Sequence, residues 1–113
     1  MTVESGQAFA HAGDIPWQDL GGGVRRRILC WDDALMMVEV AFEAGAVGAL
    51  HSHPHRQASL VRSGRFRLVI DGATRDLGPG DVYFVRPDLP HEALALEAGV
   101  LLDVFTPARQ DFL

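Results

Sequence analysis

The sequence predicts an all-β domain, an antiparallel sandwich or barrel, and three observations carry that prediction. Apolar runs are short, rich in Val, Leu and Phe, and cut at frequent intervals by Gly or Pro. No segment holds an apolar stripe at helical spacing over three turns. Where runs alternate, they do so with the two-residue period of a half-buried strand.

Taken in order, residues 1–14 mix small and polar types without a period. They read as a flexible N-terminal arm, with a single domain over residues 15–113. Trp17 and Trp31 read as packing residues. Gly21, Gly22 and Gly23 break the chain before the first strand, GVRRRILC at 23–30. Its arginines Arg25, Arg26 and Arg27 suit a solvated edge strand. ALMMVEVAFEAG at 34–45 is the next strand, and GALHS at 48–52 and QASLVRSG at 57–64 flank a His-rich turn. RFRLVID at 65–71 and ATRDLG at 73–78 meet at Asp71-Gly72, a strong hairpin signal. LGPGD is a tight turn, after which DVYFVRP at 81–87, HEALALEAG at 91–99 and VLLDVFTP at 100–107 close the series. Parity places Phe66, Leu68 and Ile70 on one face, with Arg65 and Arg67 on the other. It likewise sets Leu101, Asp103 and Phe105 together, opposite Leu102 and Val104. Asp103 is the only charge in VLLDVF, so it is either partnered, by Arg62, Arg65 or Arg67, or functional.

The 113 residues suit one compact domain, and 48% hydrophobic residues suffice for its core. No apolar run approaches the roughly 20 residues of a membrane span. The N-terminus lacks the basic start and apolar stretch of a signal peptide, so a cytoplasmic protein is expected. Cys30 is the only cysteine, which excludes an internal disulfide. A net charge of -5 argues against nucleic acid as a partner. It permits an anionic small molecule wherever the site is locally positive.

Four side chains suggest what makes a site positive. His51 and His53, two residues apart on an extended segment of HSHPHRQ, point the same way. His91 follows turn residues in PDLPHE and needs only a fold that joins the two segments. Imidazoles are common ligands of divalent first-row metals. Gln57 adds a neutral amide where a carboxylate would cancel part of a metal's charge. Its competing role is a hydrogen bond to a His ring nitrogen. His55 reads as exposed or supporting, and His11 as incidental.

The spacing runs Gly45, five residues, His51-x-His53, three residues, Gln57, six residues, Gly64. It continues with Gly80, five residues, Arg86-Pro87-Asp88, two residues, His91. This pattern resembles the two sequence motifs of the cupin superfamily. WQDLGGGVRRRIL, LMMVEVAFEAGAVGALHSHPH, DLGPGDVYFVRPDLPHE and EAGVLLDVFTPARQDFL further resemble the small pectin-degradation cupins of KdgF type, from Trp17 to Leu113. That group linearises 4,5-unsaturated monouronates released from pectin or alginate by lyases. The resemblance implies an antiparallel double-stranded β-helix, or jelly-roll barrel, assembled as a homodimer. It implies one divalent transition metal ion (Ni, Zn, Mn, Fe or Co) on His51, His53, Gln57 and His91. It also implies Asp103 and Phe105 in the pocket and Arg109 near it as catalytic residues, acting on an anionic sugar acid.

The expected reaction is a metal-dependent ring opening in which Asp103 moves protons. Arg109 could clasp the substrate carboxylate with two parallel hydrogen bonds. Two other readings stand beside it. A cupin dioxygenase using Fe(II) would more often carry two His and one carboxylate. A non-catalytic sugar-acid binder needs the pocket but not Asp103.

Overall fold

Residues 2–113 are described in the structure, a computed structural model. The arm read over residues 1–14 begins at Met1, which lies outside the described residues. The first four strands are β1 (Gln18–Gly21), β2 (Val24–Trp31), β3 (Met36–Phe42) and β4 (Val47–His51). They are followed by β5 (Arg56–Ile70), β6 (Ala73–Leu77), β7 (Val82–Val85) and β8 (His91–Thr106). Single 3-10 turns at Ala12–Asp14 and Gln110–Phe112 flank them, and the described residues contain no α-helix.

β5 and β8 carry the architecture. They pair antiparallel along their whole length, from Arg56 opposite Thr106 to Ile70 opposite His91. Each changes its second neighbour midway. The first part of β8 pairs with β4 and the last part with β3. The first part of β5 pairs with β7 and the last part with β6. Two sheets result, β1–β2–β3–β8–β5–β7 and β4–β8–β5–β6, sharing the two long strands. Packed face to face, they form an antiparallel jelly-roll barrel.

Sharing two strands requires both to bend at the same place. The β5–β8 register shifts between Val61 and Phe66, around Gly64. A Cβ at Gly64, where φ is +76°, would lie 2.5 Å from the Ala98 carbonyl oxygen. A Cβ at Gly99 would lie 2.1 Å from the Ser63 carbonyl oxygen and 2.7 Å from the Gly64 Cα. Two residues without side chains let the backbones approach this closely and turn together. Inside the bend, Phe42, Val61, Phe66, Leu68 and Leu101 form one core cluster, with Phe42 edge-on to Phe66 at 5.2 Å between ring centroids. Met36, Val38, Phe105 and Ala108 form a second cluster.

The structure departs from the sequence expectation at three points. Two pairs of strands read as separate are single continuous strands, because Gly64 and Gly99 bend the ladder without ending it. β1 was not expected, since all four of its residues are exposed and show no apolar period. Arg25, Arg26 and Arg27 do not lie on an edge: β2 sits between β1 and β3. Arg25 and Arg27 stack on Trp17 at 4.7 and 4.2 Å, and Arg27 and Arg62 share the buried carboxylate of Glu39. The described part of the N-terminal segment lies along β2. Trp31 Nε1 donates to the Val3 carbonyl at 3.0 Å, and the Gly6 amide donates to the Trp31 carbonyl at 2.8 Å. No helix of the described residues is long and apolar enough to cross a membrane.

The glycine bend is testable by denaturant unfolding. Gly99→Ala is expected to lower stability by at least about 2 kcal/mol, because the atoms it meets are backbone and cannot turn aside. Gly72→Ala, at φ +82° with nothing within 4 Å, should cost only about 1 kcal/mol.

Candidate metal centre

The barrel closes the two ends of the β5–β8 ladder on each other and so brings the two histidine segments together. His51 closes β4 and pairs directly with His91, the first residue of β8. His53 follows in the turn, whose carbonyl accepts from the Asp88 amide at 2.8 Å, tying the turn to the segment before β8. Ring centroids lie 4.2 Å apart for His51 and His91, 4.8 Å for His53 and His91, and 5.5 Å for His51 and His53. One ring nitrogen from each lies within 4.8 Å of the others.

Which nitrogens face inward follows from the backbone. Each Nδ1 sits against a carbonyl two residues away: His51 on Ala49 at 2.8 Å, His53 on His55 at 2.9 Å and His91 on Leu89 at 2.9 Å. A carbonyl only accepts, so Nδ1 carries the hydrogen and Nε2 carries the lone pair. His91 Nε2 is buried without a hydrogen-bond partner.

Gln57 is oriented by the same reasoning. Ser59 Oγ donates to the Asp103 carboxylate at 2.6 Å, and therefore accepts from the Gln57 amide nitrogen at 3.0 Å. The Gln57 carbonyl oxygen is thereby turned to His53 Nε2, 3.0 Å away. In that tautomer the His53 lone pair and the amide oxygen converge, an arrangement that a shared cation satisfies. A proton is disfavoured: burial, with the Arg109 charge, pulls His53 below the usual histidine range, and burial pulls His91 down to about 4. A buried orphan nitrogen, two converging imidazoles and a fixed amide oxygen fit a divalent metal with neutral donors. His55 contributes its backbone carbonyl to the cluster through His53.

The other expected site residues gather on the same cavity of about 230 Å³, lined by His51, Gln57, His91, Asp103, Phe105 and Arg109. Asp103 is 7% exposed. Burial pushes its carboxyl up to about 6, against the Ser59 hydrogen bond and the Arg109 charge. None of the candidate arginines pairs with it: Arg62 binds Glu39 and Arg67 binds Asp76. Phe105 is buried and meets His53 edge-on at 5.7 Å. Arg109 lies on the cavity wall. It is 8% exposed, lies over the rings of Phe105 and Phe112, and donates through Nε and Nη2 to both oxygens of Asp111.

Tyr83, Glu92 and Arg26 are among the lining residues that were not foreseen. Tyr83 is half-buried, and burial of its hydroxyl together with the Asp103 charge pushes that hydroxyl well above the usual tyrosine value. Arg26 also lines the cavity. Strand parity held the signal: Arg26 shares a face with Val24 and Ile28, both of which pack on the core.

The fold and the histidine cluster together define a cupin. A family model described as a cupin domain matches residues 38–105, and the chain belongs to that family. Within it, the chain is 45% identical over 102 residues to the pectin degradation protein KdgF of Dickeya dadantii (strain 3937), covering 88% of this chain and 93% of that protein. The solved structure of KdgF from Halomonas sp. is similar at 37% identity and a TM-score of 0.90, covering 94% of this chain and 98% of that one. An RmlC-like cupin from Shewanella frigidimarina NCIMB 400 is similar at 39% identity and a TM-score of 0.92, covering 94% and 96%.

The Gln57 orientation yields a measurement. Ser59→Ala removes the hydroxyl that fixes the amide, and is expected to weaken metal binding about tenfold or more in competition with a chromophoric chelator. His91→Ala should abolish binding. Unchanged affinity in Ser59→Ala would remove the Gln57 oxygen from the donor set.

Proposed function

We propose that the chain is a metal-dependent enzyme that opens the ring of 4,5-unsaturated monouronates derived from pectin or alginate. The observation that carries this reading is a buried carboxylate, Asp103, on the same cavity as a cluster of neutral metal donors. The likeness to proteins named KdgF, one of them a pectin degradation protein, supports the substrate class. A dioxygenase reading is not favoured, since the amide of Gln57 stands where a carboxylate would complete the usual iron set, and Asp103 is turned to Ser59.

In such a substrate the ring oxygen joins the anomeric carbon to a carbon of the C=C bond. Opening breaks the bond between the anomeric carbon and that oxygen. Asp103 takes the proton of the anomeric hydroxyl, the anomeric carbon becomes an aldehyde, and the ring oxygen leaves with the bonding pair. The proton returns to the far carbon of the C=C bond, and the former ring oxygen becomes a ketone. Substrate and product are isomers, so one carboxyl group can serve both transfers. A divalent ion on His51, His53, Gln57 and His91 would act as a Lewis acid toward the negative charge on the departing oxygen. Ser59 holds the Asp103 carboxylate in place, Phe105 keeps water from it, and Arg109 adds positive charge to the wall.

The proposal includes a homodimer in the cytoplasm. Its contact would be the outer face of β5, β7 and β8, where Val82 and Phe84 are 67% and 53% exposed beside Leu60, Leu102 and Val104.

Asp103→Asn is expected to keep its metal and lose at least about 100-fold in kcat on unsaturated galacturonate. Chelation should abolish turnover of the unaltered enzyme, and added metal should restore it; turnover indifferent to chelation sinks the reading. In sedimentation, Phe84→Glu is expected to give monomers where the parent chain gives dimers.

A further inference from the structure

Two arginines line the cavity, and they differ in what they already hold. Arg109 has given Nε and Nη2 to the two oxygens of Asp111, the geometry by which it would otherwise clasp a ligand carboxylate. Arg26 has no such partner. Among the described residues no carboxylate forms an ion pair with it, and its Nε is buried without any hydrogen bond. Its one side-chain bond is a long one, 3.4 Å from Nη2 to the Gln18 amide oxygen. The guanidinium is nevertheless held in place, lying over the Phe112 ring at 3.7 Å from the ring centroid.

The placement is unusual for an arginine. β2 turns Val24, Arg26 and Ile28 inward, opposite Val40 of β3. An inward guanidinium between aliphatic residues loses hydration unless an anion supplies it. Burial and the charge of Arg109 act against its cationic form while the charge of Asp111 favours it, so one carboxylate is shared between two guanidiniums and bonded to only one of them.

We propose that Arg26 is the residue that binds the carboxylate of the sugar acid, through two parallel hydrogen bonds, and so selects uronates over neutral sugars. This rests on the ring-opening reading for its substrate class. Arg109, tied to Asp111, instead shapes the wall and supplies charge without being the main clasp. Because Arg26 holds the part of the substrate that does not react, its loss weakens binding more than it slows the chemical step.

The experiment uses the metal-loaded protein and saturated galacturonate, which cannot undergo the reaction, with galactose as the neutral comparison. Calorimetric or NMR titration should show that the parent chain prefers galacturonate. Arg26→Met keeps an apolar stem on Phe112 and should weaken galacturonate binding about 10- to 100-fold, leaving galactose and metal affinity unchanged. Arg26→Lys, a charge without the paired donors, should fall between the two. On unsaturated galacturonate, Arg26→Met should raise KM with a much smaller change in kcat. Unchanged galacturonate affinity and KM in Arg26→Met, with turnover intact, overturns the clasp and leaves the ring-opening reading standing. Galacturonate binding that Arg26→Met loses, in a protein that never turns over the unsaturated substrate, supports the clasp and overturns the ring-opening reading. A parent chain with no preference for galacturonate over galactose overturns the clasp.

Discussion

The β5–β8 ladder is the constraint on which the site depends. Its register sets Gln57 opposite Phe105 and Ser59 opposite Asp103, while its other end sets Ile70 opposite His91. The amide, the hydroxyl and the carboxylate are therefore neighbours by strand pairing, before any side chain chooses a rotamer. His51 joins His91 at that other end, where β4 adds to β8, and the closure of the barrel brings the two ends of the ladder together at the cluster. His51, Gln57 and His91 stand on paired strands, which fix Cα separations at about 4.5–5.5 Å, and only His53 comes from the turn.

Electrostatically, the site works by leaving charge uncancelled. Its three imidazoles commit their Nδ1 hydrogens to backbone carbonyls, and the group beside them is the amide of Gln57 rather than a carboxylate. The Asp103 carboxylate on the same cavity accepts a hydrogen bond from Ser59. Two guanidiniums share the wall, one of them already matched by Asp111. An acidic protein thus contains a cavity suited to an anion, which separates the sign of the whole from the sign of the site.

Much of this was legible in the sequence. The His51, His53, Gln57 and His91 spacing identified the cluster, because ligand positions in a strand-and-turn framework leave a fixed trace in residue counts. Parity in VLLDVF turned Asp103 inward. The bends were not legible, since Gly64 and Gly99 read as turn signals unless one knows that they face each other across a ladder. Arg109 was expected near the pocket as a free clasp, and its bond to Asp111 and its stacking on Phe105 and Phe112 are contacts that no period encodes. Arg26 was missed for another reason. Three arginines in a row suggest solvent, yet in a strand with neighbours on both sides alternate residues must face opposite ways.

That run of three has a consequence for how β2 settles against its neighbours. In the native pairing one cation points into the barrel and two point out to Trp17, with Glu39 bound to one of them. Slipping β2 by a single residue would invert this, driving two guanidiniums inward and pushing Val24 and Ile28 into water. The wrong alignment would strand two charges among aliphatic side chains and take Arg27 from its carboxylate. The arginine triplet thus acts as a proofreading mark on strand alignment, penalising misthreaded barrels while the correct one keeps a single guanidinium for its ligand.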